Sequence, residues 1–140
     1  MKSLSRTTLL ALALAGAQSA GLARAADAPF TTEQLDALLT GNTVYLDVPA
    51  GGPMGDGGET PIRFGADGSA HARLPTGASM VGQWSLDDAS YCVDWDPAPK
   101  DSCTSIAREG GATVFVDAAT GASRGTLMRI EPGDPDGFGG

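Results

Sequence analysis

From Gly41 onward the chain alternates apolar and polar residues with a period of two, in eight short runs. They cover residues 43–48, 60–65, 69–74, 80–86, 90–95, 102–107, 113–117 and 123–130. Such alternation puts successive side chains on opposite faces, so each run predicts a half-buried strand. Turn-forming residues separate them: Ala66-Asp67-Gly68, Asp87-Asp88, Glu109-Gly110-Gly111 and Ala119-Thr120-Gly121. No gap has room for a crossover helix, so neighbouring strands should be antiparallel. The predicted fold is mainly β, a small antiparallel eight-stranded meander barrel, because closure removes exposed strand edges. A β-sandwich is the alternative.

Ahead of the strands the pattern is helical. Thr31-x-x-Gln34 forms a capping box, and Phe30 and Leu35 are spaced as a hydrophobic staple. Leu35, Leu38 and Leu39 make one apolar stripe, and Gly41 is the natural stop. A helix this short is stable only when its stripe packs on something. The predicted organisation is therefore an N-terminal segment and helix over residues 26–41 and a β domain over 42–130. Residues 49–58 (PAGGPMGDGG) read as a flexible loop, and residues 131–140 (EPGDPDGFGG) as a disordered acidic tail.

Two hairpins can be placed in register. A three-residue loop at Ala66-Asp67-Gly68 with Gly68 left-handed pairs Phe64 with Ala70 and Ile62 with Ala72. Arg63 and His71 then share the other face. In the second hairpin, a Cys92–Cys103 bond would put Asp94 opposite Asp101 and Trp95 opposite Lys100. Tyr91, Val93 and Trp95 would then share a face, and Met80, Gly82, Trp84 and Leu86 share one on the preceding strand. The two faces can lie on the same side, which groups Trp84, Tyr91 and Trp95 as either core or the wall of a ligand pocket.

Residues 1–25 bring in location. Lys2 and Arg6 precede an apolar run from Thr7 to Ala17, and Ala23-Arg24-Ala25 carries small residues at the positions a signal peptidase reads. The run is too short to span a bilayer. Cleavage near Ala25-Ala26 would place the mature protein in the periplasm or outside the cell. The leader holds Lys2, Arg6 and Arg24 and no acid. The remaining 115 residues therefore carry 17 acids against 6 bases, a formal net charge of −11. Nucleic acid is a poor partner for such a chain, because phosphate binding draws on clusters of Lys and Arg. No membrane span is expected in the mature form. Cys92 and Cys103 are the only cysteines. In an oxidising compartment they read as a disulfide. A two-thiolate metal site or a redox pair would need a Cys-x-x-Cys spacing or more than one histidine, and the chain has neither.

Catalytic chemistry has little to work with. His71 is the sole histidine, set mid-strand beside Arg73. The chain lacks Gly-x-Ser-x-Gly, His-Glu-x-x-His, a Walker loop and a dinucleotide fingerprint. Asp94, Asp96 and Asp101 are candidate ligands for calcium, because like charges facing across a hairpin need neutralising. Lys100 competes for that role. Copper would call on Met54, Met80, Met128 and His71, which are scattered along the chain.

The order of a short helix, Gly82-Gln83-Trp84, Cys92-Val93-Asp94-Trp95 and Cys103 resembles small secreted proteins of Gram-negative bacteria. Gly-x-Trp is also similar to a motif of the lipocalin, avidin and bacterial metalloprotease-inhibitor barrels, although in lipocalins it begins the first strand. The resemblance covers residues 31–107. It implies a barrel and a non-enzymatic role.

The expected function is that of an exported, non-enzymatic binding or accessory barrel without a required cofactor. It would take a small-molecule ligand or a protein partner through Trp84, Tyr91, Trp95 and the loop 49–58. One alternative is an inhibitor of an exported protease, inserting residues 26–30 or the glycine-rich loop into the protease cleft. Another is a hydrolase built on paired carboxylates.

Overall fold

The computed structural model describes residues 28–137 of the 140-residue chain. The export-signal reading of residues 1–25 lies outside the described residues. A helix α1 (Thr32–Leu39) leads into eight strands: β1 (Asn42–Val48), β2 (Gly58–Phe64), β3 (Ser69–Arg73), β4 (Ser79–Leu86), β5 (Tyr91–Asp96), β6 (Ser102–Glu109), β7 (Ala112–Asp117) and β8 (Ser123–Pro132). Each strand pairs antiparallel with the next, and β1 pairs with β8. That last pairing closes the barrel and rules out the sandwich. Among the described residues no helix is long and apolar enough to cross a membrane.

Helix α1 begins with the capping box its sequence specifies. Thr31 Oγ1 accepts from the Gln34 amide at 3.2 Å, and Gln34 Oε1 accepts from the Thr31 amide at 2.8 Å. Leu35 and Leu39 are fully buried in the barrel core, with Leu38 and Phe30 packed against it. Tertiary bonds fasten the helix. Thr32 Oγ1 accepts from the Ala89 amide in the β4–β5 turn, Phe30 N–H donates to Ile106 of β6, and Asn42 Nδ2 donates to Leu38. Eight residues could not hold a helix in water alone, so these contacts maintain it.

The β2–β3 hairpin has the predicted register, with Phe64 opposite Ala70, Arg63 opposite His71 and Ile62 opposite Ala72. Gly68 takes φ 92° at the tip, a conformation closed to most other residues. In the β5–β6 hairpin, Cys92 and Cys103 are partners and are bonded to one another. A covalent loop of this size stabilises by about 3 kcal/mol in the chain-entropy model. The predicted register beyond the bond does not hold. The ladder ends at Val93 and Ser102, and Trp95 N–H donates to Pro99 instead of facing Lys100. Asp101 sits at φ 51°, so the chain turns out of the strand before the two aspartates can oppose each other.

The C-terminal segment also differs from expectation. Over residues 131–137, in place of a disordered tail, β8 runs to Pro132 and the chain then crosses the outside of β1; residues 138–140 of the expected tail lie outside the described residues. Gly133 N–H donates to Gly41, Thr43 Oγ1 donates to the Gly133 carbonyl at 2.7 Å, and Tyr45 Oη donates to Asp136 at 2.8 Å. Thr43 and Tyr45 point away from the lumen yet are buried. Their hydroxyls need partners once covered, and the segment supplies them.

Candidate functional site

The hairpin turns at 65–68, 87–90 and 110–111 lie at one end of the barrel with α1. The loops 49–57, 74–78, 97–101 and 118–122 lie at the other end. Among the described residues the interior therefore has a plugged end and an end bounded by loops.

A cavity of about 460 Å³ occupies the loop end of the interior. Its walls come from Leu46 and Val48 of β1, Ile62 and Phe64 of β2, Met80 of β4 and Val93 and Trp95 of β5. Pro49, Ala50, Gly51, Pro53 and Met54 of the glycine-rich loop form part of its rim. Edge-to-face aromatic contacts run across its floor. Phe64 meets Tyr91 at 5.0 Å between centroids, Tyr91 meets Phe115 at 6.2 Å, and Phe64 meets Trp84 at 5.2 Å. Such pairs add about 0.5–1.5 kcal/mol each beyond their buried area. They hold the floor rigid.

Tyr91 and Trp95 line the cavity as the shared-face reading requires, because Gly82 pairs with Trp95, Trp84 with Val93 and Leu86 with Tyr91. Trp84 is not part of the wall. It lies behind Phe64 and donates from Nε1 to the Gly65 carbonyl at 2.8 Å. It braces the floor from the helix side. Period two assigns a face but not a depth, which is why Trp84 was grouped with the other two.

The polar lining is sparse. Thr60, Ser102, Thr104 and Ser123 reach the cavity, and Arg124 is the single charged residue among the lining residues. Tyr91 hydrogen-bonds Thr104, but burial outweighs this and pushes its hydroxyl up to about 12. It stays a neutral phenol at physiological pH. The Arg124 guanidinium donates from Nη1 to Ser102 Oγ at 2.6 Å and from Nη2 to Asp117. Sequence reading did not single out Arg124. Val116 pairs with Ser123 and Phe115 with Gly125, which leaves Arg124 as the extra residue of a β-bulge. A bulge re-aims a side chain and breaks the alternation by which a face is read. The available signal was an Asp and an Arg flanking the Ala119-Thr120-Gly121 turn.

The remaining candidates are not brought together. Asp94 Oδ1 accepts the Asp101 amide at 2.6 Å, so its carboxylate caps a turn instead of meeting the Asp101 carboxylate. Among the described residues, Asp94, Asp96 and Asp101 do not form a group of metal ligands. His71 is on the outer face opposite Arg63, away from the cavity, with Nδ1 buried and without a hydrogen-bond partner. Met54 and Met80 line the cavity, whereas Met128 is exposed outside.

The apolar walls and scattered hydroxyls can hold a small molecule by shape and burial, with Arg124 and Ser102 at its polar edge. No family model, curated protein or solved structure matches the chain.

Proposed function

We propose that this protein is a non-enzymatic binding barrel that carries a small, mainly apolar molecule in the cavity at its loop end. The observation that carries this reading is the cavity itself, about 460 Å³ within an otherwise packed barrel, rimmed by a glycine-rich loop. Small-molecule sites typically measure about 300–1,000 Å³, with mainly apolar walls and few polar groups. The disulfide fits an exported location, as the leader-like residues 1–25 suggest.

The other readings have less behind them. A carboxylate-based hydrolase would need an acid in the cavity, and Arg124 is the only charged lining residue among those described. A protease inhibitor would present residues 26–30 or the glycine-rich loop, and the loop forms part of the cavity rim. Pro29 bridges Ala107 and Phe30 is bonded to Ile106, which holds that part of the segment against the barrel.

Trp84 and Trp95 are the only tryptophans, and only Trp95 lines the cavity. A Trp84→Phe variant therefore makes Trp95 the sole reporter. Its emission should shift when the uncharged apolar probe N-phenylnaphthylamine is added, and native mass spectrometry should show one probe per chain. Unchanged Trp95 emission, with no bound mass, would overturn the proposal.

A further inference from the structure

Among the described residues Arg124 is the one cation in the cavity wall, and its charge is already matched. Nη2 donates to Asp117, while the other Asp117 oxygen accepts the amides of Ala119 and Thr120 at 2.8 and 3.1 Å. The guanidinium, and then those two amides, hold the Asp117 carboxyl well below the usual carboxylate range, at about 2. It is therefore ionised throughout the neutral range. Asp117 does not line the cavity. It borders an outer groove with Lys100, Asp101 and Arg124. The guanidinium thus stands between the lumen and a permanent negative charge.

An anion entering the cavity would meet the guanidinium with that carboxylate close behind it. Repulsion from the carboxylate, one group farther away, offsets part of the attraction to the guanidinium. The loop end adds Asp56, Asp96 and Asp101 against Arg73 and Lys100, so the approach offers an anion no compensation. An uncharged polar group loses nothing from the pairing. Two of the five guanidinium N–H groups are accounted for by Ser102 and Asp117, which leaves donors for a carbonyl or hydroxyl oxygen. The hydroxyls of Ser102 and Thr104 lie along the same wall.

We propose that the Arg124–Asp117 pair makes the cavity select uncharged apolar molecules over anionic ones of the same shape. This rests on the ligand-binding reading above. Asp117 is its specificity determinant, acting through Arg124 and not by touching the ligand.

The test uses two probes that share an anilinonaphthalene skeleton, uncharged N-phenylnaphthylamine and anionic anilinonaphthalene sulfonate. Their dissociation constants are measured on the full mature chain by probe fluorescence, and the ratio is compared across variants. The wild type should favour the uncharged probe. Asp117→Asn keeps an acceptor for the Ala119 and Thr120 amides but releases the guanidinium charge. It should move the ratio toward the sulfonate by about tenfold or more, the scale of one charge-assisted hydrogen bond. Asp117→Ser, which also keeps a short acceptor, should move it the same way, and circular dichroism confirms that each variant is folded. Arg124→Gln should not move the ratio toward the sulfonate. A wild type that prefers the sulfonate, or a ratio unchanged in both Asp117 variants, overturns the selectivity while leaving the binding barrel standing. Failure of both probes to bind overturns both.

Discussion

A Cβ placed on Gly82 would lie 2.5 Å from the Asp94 carbonyl oxygen and 3.1 Å from the Trp95 Cα. Strands β4 and β5 approach so closely here that only glycine fits, and Trp95 stands directly opposite. Gly82→Ala must push the strands apart or tilt Trp95 into the cavity. It should destabilise by about 1–3 kcal/mol, the usual cost of overpacking. Urea unfolding reads the loss, and a shift in tryptophan emission reports the moved ring; a variant as stable as the parent with identical emission would contradict the close approach. At this scale the sequence was informative where alternation holds. Tyr91, Val93 and Trp95 were placed on one face correctly, because two residues per repeat leave no other arrangement. Arg124 escaped because it occupies a bulge, and Trp84 because a face does not specify depth.

The segment after β8 acts as a strap over β1, and Tyr45 is what it covers. The Arg129 guanidinium lies over the Tyr45 ring, 3.8 Å from the centroid, and pairs with Glu59 and Glu131. Burial, then the hydrogen bond to Asp136 and its negative charge, push the Tyr45 hydroxyl up to about 12, with Glu131 adding and Arg129 opposing. The folded state therefore favours the neutral phenol. That stability is fully present below the ordinary tyrosine value of about 10 and is lost as pH rises through about 12. Tyr45 and Tyr91 are the only tyrosines, and both are raised. Ultraviolet titration of the folded protein should show almost no tyrosinate at pH about 10–11, where free tyrosine is half to mostly ionised. In Asp136→Ala one of the two should titrate lower, since two of the raising causes are removed. Ordinary titration of both residues in the parent would contradict the strap. The strap, residues 133–137, was not legible because GDPDG within EPGDPDGFGG has the composition of a free tail. Its order comes from Thr43 and Tyr45, some 90 residues earlier in the chain. The β5–β6 hairpin shows the same limit of local reasoning. Cys92 and Cys103 fixed the register at one pair, and the Asp96-Pro97-Ala98-Pro99 tip redirected the strand beyond it.

The meander barrel as a whole was legible, because eight alternating runs without a crossover leave few ways to satisfy every strand edge. Its polarity follows from connectivity, because only Thr40 and Gly41 separate α1 from the start of β1; the contacts of Pro29 and Phe30 with β6 hold the helix there and carry no period in the sequence. The consequence is a division of labour between the ends. Helix α1 closes one end with Leu35 and Leu39, both fully buried, and the loop end holds the cavity, whose wall includes neither leucine. Leu35→Ala removes core volume beyond the aromatic floor and should cost about 2–5 kcal/mol. A ligand that binds only the folded state adds about 2.7 kcal/mol when present at about 100 times its dissociation constant. Sites without shared partners contribute additively. N-phenylnaphthylamine at that excess should therefore raise the urea midpoint of Leu35→Ala by an increment equal to that of the parent, each at its own measured affinity. An increment that vanishes in the variant would mean that the plug shapes the cavity through the floor, and the two ends would have to be treated as one site.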